Sequence, residues 1–179
     1  MLKMRILLIF LKEGALVLFR KPKKNDGKAI FELVRSCAPP LDLNSRYLYF
    51  LIGAHFSETS AVVEQNDFIV GFTSAYILPD KKDHLFVWQV AVHEGQRSIG
   101  IAQGMLDDIL SRSVCQGIRY LETTITTSND LSKRLFKGFA KGRGAECREE
   151  LFLDSTNFVE TIHEEEILFR IGPLTTLTK

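Results

Sequence analysis

HLFVWQVAVHEGQRSIGIA, residues His84 to Ala102, is the stretch of the chain that decides its fold. Its first half, residues 85–92, is a run of apolar residues with a single amide, and its length fits a central strand buried on both faces of a sheet. A short polar turn follows. From residue 99 to residue 114 the apolar residues then recur at helical spacing. The order is therefore buried strand, tight turn and helix.

The turn between this strand and this helix has the composition of an anion-binding site. Residues 97–102 read Arg-x-x-Gly-x-Ala, and the first N–H groups of a helix lack intrahelical partners. Gly100 and Ala102 allow the main chain to approach a phosphate closely. The pattern is neither a P-loop nor a full dinucleotide fingerprint. The alternative stays open that Gly100 and Ala102 only relieve crowding and that Arg97 is solvated.

Length and composition are typical of one globular domain. The chain has 179 residues, 45% hydrophobic and 25% charged, which are ordinary values. Its formal net charge of +1 gives no reason to expect nucleic acid as a partner. The three cysteines are far apart and form no Cys-x-x-Cys pattern, which argues against a disulfide framework or a zinc site and suits a reducing cytoplasm. We predict no metal site.

The first residues of the chain are predicted to form an extension, residues 1–14, that precedes a single domain at residues 15–174. The apolar run at residues 6–11 is too short to span a membrane, and no small-residue cleavage site follows it. We therefore expect no membrane partner.

Apolar spacing and turn signals predict an α/β domain with seven strands and four helices. The strands are expected at residues 15–20, 60–64, 68–77, 85–92, 120–126, 146–153 and 167–171. The helices are expected at residues 29–37, 46–56, 99–114 and 129–140. Three consecutive strands followed by a βαβ unit predict a mixed sheet with helices on both faces.

This order, with Arg-x-x-Gly-x-Ala directly after the fourth strand, resembles that of the GNAT acyl-CoA N-acetyltransferases. A second motif, Asn129-x-x-Ser132-x-x-Leu135-Phe136, is similar to the Asn-x-x-Ala-x-x-Leu-Tyr of the family's fourth helix. The resemblance covers residues 19–174. Segments similar to the L-2,4-diaminobutyrate acetyltransferases, which act in synthesis of the osmolyte ectoine, are residues 42–47, 86–92, 121–126 and 163–174.

The resemblance implies a GNAT-like sheet of about seven strands that splays between the fourth and fifth strands. It also implies an enzyme that transfers the acetyl group of acetyl-CoA to the γ-amine of L-2,4-diaminobutyrate, working as a cytoplasmic homodimer. Two alternatives remain open. One is an acetyltransferase for another small amine such as a polyamine, and the other is a non-catalytic acyl-CoA-binding module.

The residues that the resemblance assigns to acetyl-CoA lie on the central strand, in the turn after it and on the fourth helix. Main-chain groups near Val90 would pair with pantetheine, and one N–H there would stabilise the oxyanion that develops from the thioester. For Asn129 a plain helix N-cap is the alternative. The full set is Val90, Ala91, Val92, Gln96, Arg97, Ser98, Gly100, Ala102, Asn129 and Phe136.

Two residues depart from the family pattern. The usual Gly-x-Gly of the pyrophosphate loop appears here as Ser98-Ile99-Gly100-Ile101-Ala102, which has fewer flexible residues for a close approach. The fourth-helix tyrosine that often protonates the leaving thiolate is Phe136, whose ring has no proton to give. A water or another side chain then supplies the proton, or the thiolate leaves unaided.

Amine acetylation also needs a base, because an alkyl ammonium has a pKa of about 10.4 and must lose a proton before attack. Glu122, on the strand beside the implied splay, is the first candidate, and a solvent-facing carboxylate is the alternative.

Five further residues are candidates for binding the acceptor. Most of them also have an interpretation without a role in binding. Asp42 could belong to a helix-capping turn, Trp88 could pack in the core, and the acidic run near residue 163 could be a solvated surface. As a pocket wall, Trp88 would contact an ammonium group with its ring face. The set is Asp42, Tyr47, Trp88, His163 and Glu166.

Overall fold

The computed structural model of the chain describes residues 7–10, 16–39, 41–157 and 164–175. In this part of the chain the helices are α1 (Gly27–Ser36), α2 (Arg46–His55), α3 (Ile101–Leu110) and α4 (Asp130–Gly142). The strands are β1 (Leu7–Phe10), β2 (Leu16–Arg20), β3 (Ala61–Gln65), β4 (Phe68–Leu78), β5 (Lys81–Val92), β6 (Tyr120–Thr126), β7 (Glu146–Leu153) and β8 (Glu166–Gly172).

The strands form one mixed sheet in the order β1-β2-β3-β4-β5-β6-β8-β7. Strands β5 and β6 run parallel, whereas β1/β2, β2/β3, β3/β4, β6/β8 and β7/β8 pair antiparallel. The predicted mixed α/β sheet is confirmed. It has one strand more than the seven predicted, because Leu7–Phe10 in the predicted extension pairs with β2.

The chain divides into two compact units. The first comprises the described residues of Met1–Tyr76 and Gln89–Gln116, and the second those of Ile77–Trp88 and Gly117–Lys179. In the second unit, the parallel ladder between β5 and β6 comprises three pairs, His84/Tyr120, Leu85/Leu121 and Phe86/Glu122. Both strands continue beyond these pairs, β5 to Val92 and β6 to Thr126, and the splay that the resemblance implies stays a prediction.

Strand β5 is longer and less buried than its sequence predicts. It begins at Lys81, four residues before the predicted start, and ends at Val92. Burial along it alternates from residue 85 onward, so that Leu85, Val87, Gln89 and Ala91 are buried while the residues between them are partly or largely exposed. The prediction of a strand buried on both faces is wrong, because an apolar run has the same composition whether one face or two are covered.

Helix α3 begins two residues later than predicted. Ser98 and Gly100 have positive φ angles of 65° and 89°, and a right-handed helix cannot include either conformation. The helix therefore starts at Ile101, after Gly100 as its N-cap. It ends at Leu110 rather than residue 114, since Ser113–Cys115 forms a separate 3₁₀ turn.

The core of the first unit lies between α1, α2 and the sheet. Tyr49, which is fully buried on α2, makes edge contacts with Phe31 of α1 and Phe72 of β4, with ring centroids 6.0 and 5.9 Å apart. Ala91 of β5 belongs to the same buried cluster. The central strand is therefore anchored in the first unit at its C-terminal end.

In the second unit, α4 is an amphipathic helix with one buried face. Phe136, Phe139 and Ala140 are buried as their spacing predicts. Leu131, in the first turn of the helix, is half exposed.

Arg112, just beyond the end of α3, connects this helix to the segment that precedes β3. Its guanidinium donates to the carbonyl oxygens of Ser57, Glu58 and Ser60 at 3.1, 2.9 and 2.6 Å. It also donates to the carboxylate of Asp108 at 2.6 Å. This interaction holds the C-terminal end of the helix whose N-terminal turn is predicted to bind an anion.

We expect Arg112→Ala to lower the free energy of unfolding by about 2–3 kcal/mol, because three main-chain carbonyls and a carboxylate lose a charged donor. The matched control is Arg35→Ala, which breaks an exposed pair with Glu32 and should cost no more than about 0.5 kcal/mol. Urea unfolding of both variants measures the difference. Equal losses in the two variants would contradict this role of Arg112.

Candidate active site

The turn after β5 presents an open helix N-terminus. Gly100 caps α3 without a side chain, and an added Cβ at this position would meet no heavy atom within 4 Å. The first intrahelical bond is donated by the N–H of Gly104 to the carbonyl of Gly100 at 2.8 Å. The earlier N–H groups of α3 therefore have the geometry that binds an anion at a helix N-terminus.

Side-chain hydrogen bonds fix the polar residues at the start of this turn. Gln96 donates from Nε2 to Oε1 of Gln65 at 2.9 Å. Arg97, which is exposed, donates from Nε to the carbonyl of Val92 at 3.1 Å. Cys37 contacts the same carbonyl at 3.5 Å. The Val92 carbonyl, which the resemblance assigns to the cofactor, thus already has two partners, so its predicted pairing with pantetheine would compete with them.

The other cofactor candidates on β5 differ in exposure. Val90 lies on the partly exposed face of the strand, whereas the side chain of Ala91 is buried in the core. Ala91 can therefore meet a ligand only through its main chain. Ala102 is partly exposed in the first turn of α3, and Ser98 is exposed beside Gly100.

Asn129 and Phe136 lie on α4, in the second unit. The Oδ1 atom of Asn129 accepts a hydrogen bond from the N–H of Ser132 at 3.1 Å. Asn129 is therefore the N-cap of α4, as in the alternative interpretation of this residue. Phe136 is 2% exposed, so its ring belongs to the core of this unit. The predicted contacts of both residues with acetyl-CoA stay predictions.

A loop in the first unit carries the acceptor candidate Asp42 and leads into α2, which carries Tyr47. The side chains of Asp42 and Tyr47 are exposed. The main chain of the loop is held from β5, since Nε2 of Gln89 donates to the carbonyl of Asp42 at 2.7 Å. Oε1 of Gln89 in turn accepts the hydroxyl of Tyr49 at 3.3 Å. Ser45, not Asp42, is the N-cap of α2, and no side-chain capping bond forms there.

In the second unit, the register brings three predicted site residues to one face of the sheet. Phe86 pairs with Glu122, and Thr126 pairs with Glu166. Trp88 lies two residues beyond Phe86 on the same side of β5, because side chains alternate along a strand. Trp88 is 50% exposed, so the core-packing alternative for this residue is wrong.

Glu122 is 3% exposed, and the alternative of a solvent-facing carboxylate is therefore wrong. Its Oε1 atom accepts the Nε–H of Arg170 at 2.6 Å and lies 3.7 Å from Nε2 of His84 and 3.9 Å from Nζ of Lys81. Arg170 is its direct cross-strand neighbour on β8. The hydrogen bond to Glu122 raises the pKa of the Arg170 guanidinium, so the buried carboxylate faces a permanent cation.

Around Glu122 lie several residues that the sequence did not predict to belong to a site. Arg170 also donates from Nη1 to Glu150 of β7 at 3.1 Å. His84 stacks on Tyr120 with ring centroids 4.6 Å apart, and its Nδ1 lies 2.8 Å from the carboxylate of Asp83. The charged residues on these strands can be read from the sequence. The register of the strands, which the sequence does not show, determines which of these charges meet.

The acidic segment before β8 is partly described. Glu164 accepts hydrogen bonds from the hydroxyl of Thr127 at 2.8 Å and from the N–H and hydroxyl of Ser128 at 2.7 and 2.6 Å. It thereby holds the turn that leads into α4. Glu166 is partly exposed at the first position of β8. His163 lies outside the described residues.

Two negative findings concern the described part of the chain. Among these residues, no group of three or more histidines, cysteines, aspartates and glutamates is arranged to hold a metal ion. None of the helices found there has the length and apolar character needed to cross a membrane.

Comparison with known proteins defines the class of protein. The model of the acetyltransferase (GNAT) family matches residues 27–140, which include the turn after β5 and most of α4. The fold and the turn are thus those of an N-acetyltransferase.

The curated relatives define the family more narrowly. The chain is 48% identical over 157 residues to the L-2,4-diaminobutyric acid acetyltransferase of Bordetella parapertussis, covering 87% of this chain and 84% of the relative. It is 44% identical to that of Marinococcus halophilus, covering 89% and 91%. The chain therefore belongs to the L-2,4-diaminobutyric acid acetyltransferases of the GNAT family.

A solved structure agrees with these relatives. It is the diaminobutyrate acetyltransferase of Paenibacillus lautus in complex with its substrate L-2,4-diaminobutyric acid and coenzyme A. It is 40% identical to this chain, with a TM-score of 0.87, and the match covers 93% of this chain and all of the other.

Proposed function

We propose that this protein transfers the acetyl group of acetyl-CoA to the γ-amine of L-2,4-diaminobutyrate, giving N4-acetyl-diaminobutyrate for ectoine synthesis. The observation that carries the proposal is the match, at 40% identity and a TM-score of 0.87, to a structure that holds this amino acid and coenzyme A. The relative that is 48% identical is also an L-2,4-diaminobutyric acid acetyltransferase. The choice of the γ-amine over the α-amine rests on the resemblance.

The coenzyme A pyrophosphate is proposed to bind at the N-terminus of α3. The main-chain N–H groups that follow Gly100 supply donors, and the partial positive charge of the helix end favours an anion. Arg97 adds a positive charge, while Gln96, Ser98 and Ala102 line the turn. The exposed, left-handed backbone at Ser98 and Gly100 supports this assignment.

The acetyl thioester is proposed to be polarised by the main chain of β5. The N–H of Val90 donates to the thioester oxygen, and Ala91 and Val92 contribute main-chain groups for pantetheine. As the amine nitrogen attacks, the carbonyl oxygen becomes an oxyanion, and a donor placed there stabilises it by about 3–4 kcal/mol in other acyl-transfer enzymes.

The acceptor is proposed to be held by exposed acidic and aromatic side chains. A diamino acid carries two ammonium groups, which suit the carboxylates of Asp42 and Glu166, and Tyr47 adds a hydroxyl. The half-exposed face of Trp88 suits contact with an ammonium group. His163 belongs to the same proposal from the sequence alone.

Glu122 is proposed as the general base. The proton lost by the attacking ammonium passes to its carboxylate, directly or through a water, so that a neutral amine attacks the carbonyl carbon. Arg170 holds this carboxylate in place through its hydrogen bond at 2.6 Å.

The last step is the loss of the thiolate. The tetrahedral intermediate collapses: its nitrogen loses the second amine proton, the C–S bond breaks, and the sulfur leaves with the bonding electrons. The released proton passes to solvent or to the departing thiolate. Because Phe136 is buried and carries no proton, this helix position supplies no acid. A thiolate is a tolerable leaving group, since thiols have a pKa of about 8.5.

The setting of the enzyme is proposed as well. The free thiols of Cys37, Cys115 and Cys147 support a reducing, cytoplasmic location. Homodimer formation, and a single catalytic domain at residues 15–174, follow from the family resemblance.

A panel of amines tests the proposed function. We expect rapid release of coenzyme A from acetyl-CoA with L-2,4-diaminobutyrate and little release with spermidine or lysine, followed by NMR of the product to locate the acetyl group. Equal rates with spermidine would favour a polyamine acetyltransferase. Tight binding of coenzyme A without turnover of any amine would favour a non-catalytic module.

Gly100→Ala should raise the Kd of coenzyme A by about tenfold, because binding would require a left-handed conformation that alanine avoids. Gly144→Ala is the matched control, since Gly144 also has a positive φ, 61°, and open space around it. Titration calorimetry with coenzyme A compares the two. An equal effect, or none at Gly100, would refute binding at this turn.

Glu122→Gln should lower kcat by about 100-fold and leave the KM for acetyl-CoA unchanged, because an amide cannot accept the proton. Glu150→Gln is the control, since Glu150 contacts the same guanidinium from an exposed position, and its kcat should stay within about twofold of wild type. Steady-state kinetics measures both. Equal losses of kcat would mean that the carboxylates act only through Arg170.

A further inference from the structure

Gln89 is a buried amide in the middle of the apolar strand β5. It is 7% exposed, and both ends of its side chain are hydrogen-bonded within the first unit. Nε2 donates to the carbonyl of Asp42 at 2.7 Å, and Oε1 accepts the hydroxyl of Tyr49 at 3.3 Å. The sequence separations are 47 and 40 residues, so these bonds connect the strand to a distant loop and helix.

The chemistry of the partners determines the orientation of this amide. A main-chain carbonyl can only accept, so the nitrogen of Gln89 must face Asp42. Burial raises the pKa of Tyr49, so its hydroxyl keeps the proton that it donates to Gln89, and it also interacts with Asn44 of the same loop. The loop is thus held at Asp42 by the bond from Gln89, and Asn44 of the loop lies near the Tyr49 hydroxyl.

Gln89 lies next to the proposed oxyanion donor in sequence. Val90 follows it directly on β5, and Asp42 is an acceptor-binding candidate. The amide therefore ties the loop that carries the acceptor carboxylate to the strand that carries the thioester donor. An apolar residue would fill the same core position without desolvating an amide, so a positioning role accounts for a polar residue here.

We propose that Gln89 is a positioning residue for the acceptor amine: by holding the main chain of Asp42, it sets the affinity and the chain-length selectivity for the diamino acid. This inference rests on the proposed function. It predicts an effect on the acceptor and none on acetyl-CoA, because the bond from Gln89 reaches the acceptor loop and not the turn before α3.

The test is steady-state kinetics of Gln89→Met, which keeps the length of the side chain and removes its donor. We expect the KM for L-2,4-diaminobutyrate to rise about three- to tenfold, as the loss of one buried hydrogen bond implies. The KM for acetyl-CoA should stay within twofold, and the preference for diaminobutyrate over ornithine, which is one methylene longer, should fall by a similar factor.

Two further variants separate positioning from stability. Tyr49→Phe keeps the bond between Gln89 and Asp42 and should raise the same KM by less than Gln89→Met does. Thr59→Val removes a buried side-chain bond elsewhere in the first unit, from Thr59 to the carbonyl of Ala75 at 2.6 Å. It should lower the unfolding midpoint and leave both KM values unchanged.

The outcomes are distinct. A wild type that acetylates diaminobutyrate, with variants at Gln89 and Tyr49 that leave the amine KM unchanged, overturns this inference and leaves the proposed function standing. A Thr59→Val variant that raises the KM for diaminobutyrate as much as Gln89→Met does also overturns it, because the effect would then be structural. A wild type without activity on diaminobutyrate overturns the proposed function and this inference together.

Discussion

The left-handed backbone at Ser98 and Gly100 is the constraint on which the proposed chemistry depends. Two exposed residues with positive φ directly precede α3, and the helix starts only at Ile101. A helix that began at residue 99 would use part of this backbone for its own hydrogen bonds. The open helix end is therefore a consequence of two residues that interrupt a helical apolar pattern.

The helices and most strands could be predicted because local signals mark their ends. Helix α2 begins at Arg46 as predicted and ends one residue before the expected position, and β7 matches its predicted range. These boundaries depend on capping residues, prolines and apolar spacing, which are all readable within a few positions. The observed start of α3 differs from the predicted one by two residues, because the spacing of apolar residues does not show that Ser98 and Gly100 adopt left-handed conformations.

The environment of Glu122 could not be predicted, because it depends on register. The cation that it faces, Arg170, is 48 residues away in the chain, and a shift of one residue would turn it to the other side of the sheet. Gln89 shows a related difficulty. Its partner on the loop is the main-chain carbonyl of Asp42, and main-chain partners leave no mark on the sequence.

Two features of the second unit bear on the proposed proton transfers, namely the ion pair of Glu122 with Arg170 and the phenylalanine at position 136. Glu122, the proposed base, is paired with a guanidinium, and Phe136 has no proton to supply. The proposed acetylation therefore depends on a thiolate that leaves readily and on an oxyanion that the main chain of β5 is proposed to stabilise. In this proposal the polar side chains hold the reactants, and backbone N–H groups carry most of the catalysis.

Amide hydrogen exchange of the wild-type protein, with and without coenzyme A, tests the central claim most directly. The account predicts that coenzyme A slows exchange at the N–H groups of Ile101 and Ala102, because phosphate oxygens would accept hydrogen bonds from them. Unchanged exchange at these two residues, with protection only elsewhere in the chain, would contradict it.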